Sequence, residues 1–226
     1  MTRLDPSTLR LRTRLVLDTG DTGGSGDTGG QGLRGWRSTL RAVDAHGTAV
    51  ELGDAHGLLV NLAYPAAGEV LAALAAVDDD AAALGATLFG LRANARGLKG
   101  TRLGIAVRRA SVPAPHRGLG LGAVLLAQSC DLLGFGHPTL PVVLVPFPDG
   151  GAEMPSTVLA DVRDKVETAA TEAGFSPAAA AAGGPLDVEP RHGSPWWRLT
   201  TRTGGRDLSV PTDDVVDHLV AHGQEP

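Results

Sequence analysis

The sequence predicts a mixed α/β (α+β) fold: a mixed central sheet flanked by helices, preceded by an N-terminal β ribbon that carries a glycine-rich loop. Three observations predict it. Segments with period-two alternation are interleaved with segments whose apolar residues recur at three- and four-residue spacing. A short, wholly apolar stretch at residues 142–145 reads as a strand covered on both faces. At 226 residues the chain is long enough for one α/β domain to bury a sizeable core.

Residues 11–17 alternate apolar side chains with Arg or Thr, as a half-buried strand does. They run into the tract 18–32, which repeats Asp-Thr-Gly and holds almost no apolar side chain. Such a tract cannot offset its chain entropy by burial, so it reads as a loop or linker. Residues 36–43 and 48–52 flank the turn signal Asp44-Ala45-His46-Gly47, and together they predict an antiparallel ribbon. Residues 58–63 read as a further buried strand.

Pro65 opens a helix over 65–77, with Val70, Leu71, Leu74 and Val77 on one stripe. Asp78-Asp79-Asp80 reads as a cap for the next element, and 84–89 and 103–112 read as strands. Residues 120–133 form the clearest helix, 142–145 the apolar strand, and 157–173 a helix closed by Gly174. A strand at 196–201 and a Pro-opened helix at 211–222 complete the chain. The expected organisation is a ribbon at 1–57, a main domain at 58–203 and a C-terminal helix within 204–226.

Composition narrows the function. The net charge is −5, which gives no field to collect nucleic acid. No apolar stretch is long enough to cross a bilayer, so no membrane span is expected. With Cys130 as the single cysteine no internal disulfide forms, and the polar start after Met1 does not resemble a signal peptide, so the expected location is cytoplasmic. The histidines lack paired metal spacing, so no metal is expected.

Chemistry concentrates between the long strand and the clearest helix, in Val112-Pro-Ala-Pro-His-Arg117-Gly118-Leu119-Gly120-Leu121-Gly122-Ala123. Alternate glycines let backbone approach a ligand closely, and the helix after them offers unbonded N–H groups and a partial positive charge. A diphosphate suits that environment. Arg117 adds charge-assisted donors for the same oxygens.

This segment resembles the acetyl-CoA-binding motif of the GNAT N-acetyltransferases, written Gln/Arg-x-x-Gly-x-Gly/Ala, with Arg117, Gly120 and Gly122 at its fixed positions. Ala169-Ala-Thr-Glu-Ala-Gly174-Phe175 is similar to the end of that family's last helix, where Gly-Phe leads into a strand. The resemblance spans about 58–203. It implies a GNAT-like fold and an N-acyltransferase that moves an acetyl or related acyl group from acyl-CoA to an amine acceptor. Ser111 and Val112 would pair through their backbones with the pantetheine arm, and the amides from Gly118 to Ala123 would hold the pyrophosphate. The thioester would lie between the strands at Val112 and Val142, with a backbone N–H beside Val112 polarising its carbonyl.

The chain departs from the family in one respect that bears on catalysis. Many members carry a tyrosine five residues before the Phe of the Gly-Phe pair, as the acid for the departing thiolate, and Ala170 stands here. The single tyrosine is Tyr64, at the first helix. No catalytic residue is therefore assigned, and a CoA-binding sensor or interaction domain without turnover is the alternative.

Other readings of these residues are plainer. The glycine turn also fits an ordinary strand-to-helix loop, or the dinucleotide form Gly118-x-Gly120-x-x-Ala123, which needs an acid after the next strand where Pro146 and Phe147 stand. Asp18-Thr19-Gly20 resembles an aspartic-protease strand but continues into its own repeat. Cys130 reads as a buried structural thiol, and His116 as a phosphate contact or a solvent-facing side chain. Trp196 and Trp197 point to opposite faces of a strand. One is expected in the core, the other under the C-terminal helix or against an acceptor or homodimer surface.

Overall fold

Alternating side chains in the first part of the chain build an antiparallel meander. The computed structural model describes residues 10–16, 32–43, 48–134, 139–146, 154–178 and 194–200. Strands β1 (Arg10–Val16), β2 (Leu33–Val43) and β3 (Ala49–Asn61) pair in that order. In β2 the period is plain: Trp36, Ser38, Leu40 and Ala42 are buried, while Arg37 and Arg41 are exposed.

The strands expected separately at 48–52 and 58–63 are one strand, β3. Gly53-Asp54-Ala55-His56-Gly57 has the composition of a turn but stays extended, held by β2 on one side and β4 (Leu103–Ser111) on the other. A Cβ at Gly57 would run into the Ala106 carbonyl, so this glycine permits close strand approach rather than a reversal. The expected boundary at 57/58 falls within β3, and the ribbon shares one sheet with the later strands.

Helix α1 (Ala67–Val77) and helix α2 (Asp79–Asn94) come next. The Asp78 carboxylate accepts the Ala81 N–H at 2.7 Å and caps α2, as its sequence position suggested. The strand expected at 84–89 is instead the middle of α2. Read alone, Leu84 to Phe89 suits either element. In the longer window Ala81, Leu84, Leu88 and Leu91 are buried on one helical stripe, and the Asp78 cap nucleates them. Thr87 satisfies its buried hydroxyl by donating to the Ala83 carbonyl at 2.8 Å.

After β4 come a 3-10 turn (Ala114–His116), α3 (Leu121–Leu133), β5 (Pro141–Leu144), α4 (Ser156–Glu172), β6 (Ser176–Pro177) and β7 (Trp196–Leu199). The sheet order is β1-β2-β3-β4-β5-β7-β6. Among the described strands only β4 and β5 run parallel, joined through α3. Ile105, Val107, Val142 and Leu144 pack with α3 and α4, whereas Ala106 and Val143 pack with α1 and α2. Burial on both faces explains why β5 lacks any polar residue.

Trp196 and Trp197 divide between these two cores, each partly buried, so both serve the sheet. Gly174, at φ 87°, closes α4: its N–H bonds the Thr171 carbonyl at 2.8 Å, and the Phe175 N–H bonds the Ala170 carbonyl at 2.9 Å. The turn expected at 44–47, the helix expected at 211–222 and nearly all of the tract 18–32 lie outside the described residues.

Candidate functional site

The parallel pair comes apart partway along. Pairing of β4 with β5 covers Ile105↔Val142, Ala106↔Val143 and Val107↔Leu144 and stops there. β4 runs four residues further, to Ser111, paired over that length with β3 alone. Burial follows the same break: Gly104 to Val107 are buried, and Arg108, Arg109 and Ala110 are exposed. Pro146 lies just past β5 and has no N–H to continue a ladder. Among the described residues, no strand pairs with the β5-side edge of β4 beyond Val107. This corrects the expected position of the gap, because Val142 lies beside Ile105 within the sheet. The opening between the two strands starts past the Val107–Leu144 pair, with Arg108–Ser111 along its β4 side.

The glycine turn stands at the end of that edge. Arg117 Nε donates to the Val112 carbonyl at 2.9 Å, tying the start of the turn to the end of the strand. Gly118 has φ 85° and Gly120 has φ 70°, left-handed values that a side chain disfavours. A Cβ at either position would meet nothing within 4 Å, so neither glycine serves packing. Gly120 is the N-cap of α3 and no side chain caps the helix there. The first-turn N–H groups and the positive end of the helix dipole are thus available to an anion.

Leu121 and Ala123 are buried in the α3–α4 core, and Leu119 packs partly against it. Their side chains anchor the turn, so only their backbones can serve a ligand. A Cβ at Gly122 would sit 3.9 Å from Ala169 of α4, an ordinary contact. Ser111, Val112 and the run from Arg117 to Ala123 form one continuous path from the parted strand to the helix N-terminus. The Val112 carbonyl already accepts from Arg117, which leaves its N–H as the simpler contact for a ligand.

The other residues singled out by sequence separate from this path. Tyr64 packs near Gly32 and lies just after Asn61, which pairs with Leu103 at the start of β4. The opening starts at Arg108, five residues further along that strand, roughly 17 Å away at about 3.3 Å per residue. Tyr64 cannot serve chemistry there. Ala170 is buried in the α3–α4 core. Cys130 is fully buried, and desolvation pushes its thiol up to about 12, so it is structural. His116 lies in the 3-10 turn before Arg117.

A polar cluster beside the opening is not apparent from sequence. Asp54 Oδ2 lies 3.4 Å from Arg37 and 4.0 Å from His56 Nδ1. Arg108 pairs with Asp78 at the α1–α2 junction. His56 faces Arg109 across a bulge that falls between His56 and Gly57. Burial is the main cause that pushes its imidazole below the ordinary value; the guanidinium groups of Arg108, Arg109 and Arg37 add to it and Asp54 opposes it. The period-two placing of Asp54 and His56 was the available signal, interrupted by the flanking Gly53 and Gly57.

Among the described residues no group of His, Cys, Asp and Glu is arranged to hold a metal ion, and no helix is long and apolar enough to cross a membrane. With a single parallel pair among the described strands, and with Pro146 and Phe147 where the dinucleotide form needs its acid, that form lacks its structural context. No family model, no curated protein and no solved structure matches the chain.

Proposed function

We propose that the chain is an N-acyltransferase that moves an acetyl or related acyl group from acyl-CoA to an amine. One observation carries this reading: β4 and β5 part after Val107 and Leu144, and the freed edge of β4 leads into an uncapped helix N-terminus behind two left-handed glycines. An extended amide-rich ligand can pair with a free strand edge, and its diphosphate end suits a helix N-terminus. Acyl-CoA has both parts in that order. The GNAT resemblance of the same residues agrees with this reading. Ser111 and Val112 would meet the pantetheine arm, Arg117 and the amides from Gly118 to Ala123 the pyrophosphate.

The second reading, a CoA-binding domain without turnover, is favoured by Ala170 and by the distance of Tyr64 from the opening. Release of free thiol from acetyl-CoA across a panel of primary amines separates the two. Amine-dependent release supports the transferase; acetyl-CoA binding with no release from any amine supports the binding domain.

A further inference from the structure

We propose that His56 is the general base that takes a proton from the acceptor amine, an assignment that rests on the acyltransferase reading above. His56 stands opposite Arg109, two residues past the last β4–β5 pair at Val107. It is therefore one strand spacing, about 4.8 Å, from the edge along which β5 has left β4.

The face is set by alternation. Leu58 packs with α1 and α2, and His56, two residues before it on an extended strand, shares that side. The Arg108–Asp78 pair at the α1–α2 junction lies on the same side. The helix that would hold the pyrophosphate, α3, packs on the other face. Cofactor and acceptor would thus approach the opening from opposite faces, with His56 on the acceptor's side.

The bulge concentrates charge at this point. His56 pairs with Arg109 and Gly57 with Val107, so Arg108 is the extra residue of β4. Among the described residues, the charged groups that act on the imidazole divide by sign. Arg37 of β2 and Arg108 and Arg109 of β4 disfavour a second proton, while Asp54 of β3 favours it but is shared with Arg37. Asp78 is engaged by Arg108. Burial and the three guanidinium groups favour the neutral imidazole, and the side chain is partly exposed, as a base must be. Asp54 Oδ2 lies 4.0 Å from Nδ1, beyond hydrogen-bond distance, and its charge favours a proton on that nitrogen, which leaves the Nε2 lone pair for the acceptor.

The step balances. An acceptor ammonium gives one proton to Nε2, and its freed lone pair attacks the thioester carbonyl carbon. The C–N bond forms, the C–S bond breaks, and the departing thiolate takes a second proton from the same nitrogen. The imidazolium then returns its proton to water, leaving amide and free CoA.

The test uses the full chain, acetyl-CoA, and a panel of aliphatic amines, L-amino acids and a lysine peptide. We expect His56→Gln to bind acetyl-CoA as the wild type does and to release thiol about 100-fold more slowly at pH 7. The wild-type kcat/KM should level off above a pH lower than 6.5, whereas the variant's should keep climbing with the fraction of free amine. A variant within about threefold of an active wild type, with the same pH profile, overturns the assignment of His56 alone. A wild type that binds acetyl-CoA but acetylates no amine overturns the transferase reading and His56 with it. NMR titration of the wild-type imidazole gives a readout that needs no variant. A titration midpoint that differs from the pH at which kcat/KM levels off overturns the proposal.

Discussion

Arg117 Nε donates to the Val112 carbonyl at 2.9 Å, so the guanidinium that begins the glycine turn is fixed to the end of the strand it leaves. The geometry gives Arg117 the role of closing the turn, and in the proposed acyl-CoA reading its remaining N–H groups would meet the pyrophosphate. Arg117→Ala is expected to weaken CoA binding by about 1.5–3 kcal/mol, the range for hydrogen bonds to charged groups. The fold should lose less than about 1 kcal/mol, since the bond is exposed. Calorimetric titration with CoA and thermal unfolding read the two effects separately.

The two glycine types in the turn should respond differently. Gly120 has φ 70° with open space around it, so Gly120→Val places a branched side chain in a left-handed conformation and over the anion path. We expect a stability loss of about 1–2 kcal/mol and loss of CoA binding. Gly122 lies inside α3 with room for a methyl group, so Gly122→Ala should keep binding and gain up to about 1 kcal/mol of helix stability. Denaturant unfolding with CoA titration checks both.

Much of the fold was legible, and the failures have physical causes. The glycine turn, α3 and β5 were readable because their signals are local: left-handed positions require glycine, and a strand covered on both faces is apolar throughout. β3 was divided in two because Gly57, placed there for the Ala106 carbonyl, resembles a turn glycine. The centre of α2 was read as a strand because a short apolar window does not separate the two periods. The path from Ser111 to Ala123 was legible because it is continuous in sequence. The His56 cluster was not, since it needs β2, β3, β4 and Asp78 brought together by the sheet.

Arg198 is the other long-range feature that sequence left silent. It is almost fully buried in β7, donates to the Ala173 carbonyl at 2.8 Å and the Ala127 carbonyl at 3.1 Å, and pairs with Asp131. Its guanidinium also stacks 5.6 Å from the Phe175 ring centre. Asp131→Ala leaves this charge without its anion and is expected to destabilise by about 1.5–3 kcal/mol, read by urea unfolding. Unchanged stability would mean that the carbonyls and the ring suffice.

Burial holds the Cys130 thiol protonated at neutral pH, so thiol reagents should react only through opening of the fold. Alkylation by iodoacetamide at about pH 8 is expected to be slow in native buffer and fast in denaturant. Fast native alkylation would place the thiol at the surface.

The central claim is that the parted strands and the glycine turn form one acyl-CoA site. Calorimetric titration of the wild type and of Gly120→Val, each with acetyl-CoA and with NAD, tests it most directly. We expect the wild type to bind acetyl-CoA and not NAD, and Gly120→Val to remain folded but lose acetyl-CoA binding. Wild-type affinity for acetyl-CoA in Gly120→Val, or wild-type binding of NAD alone, would contradict the claim.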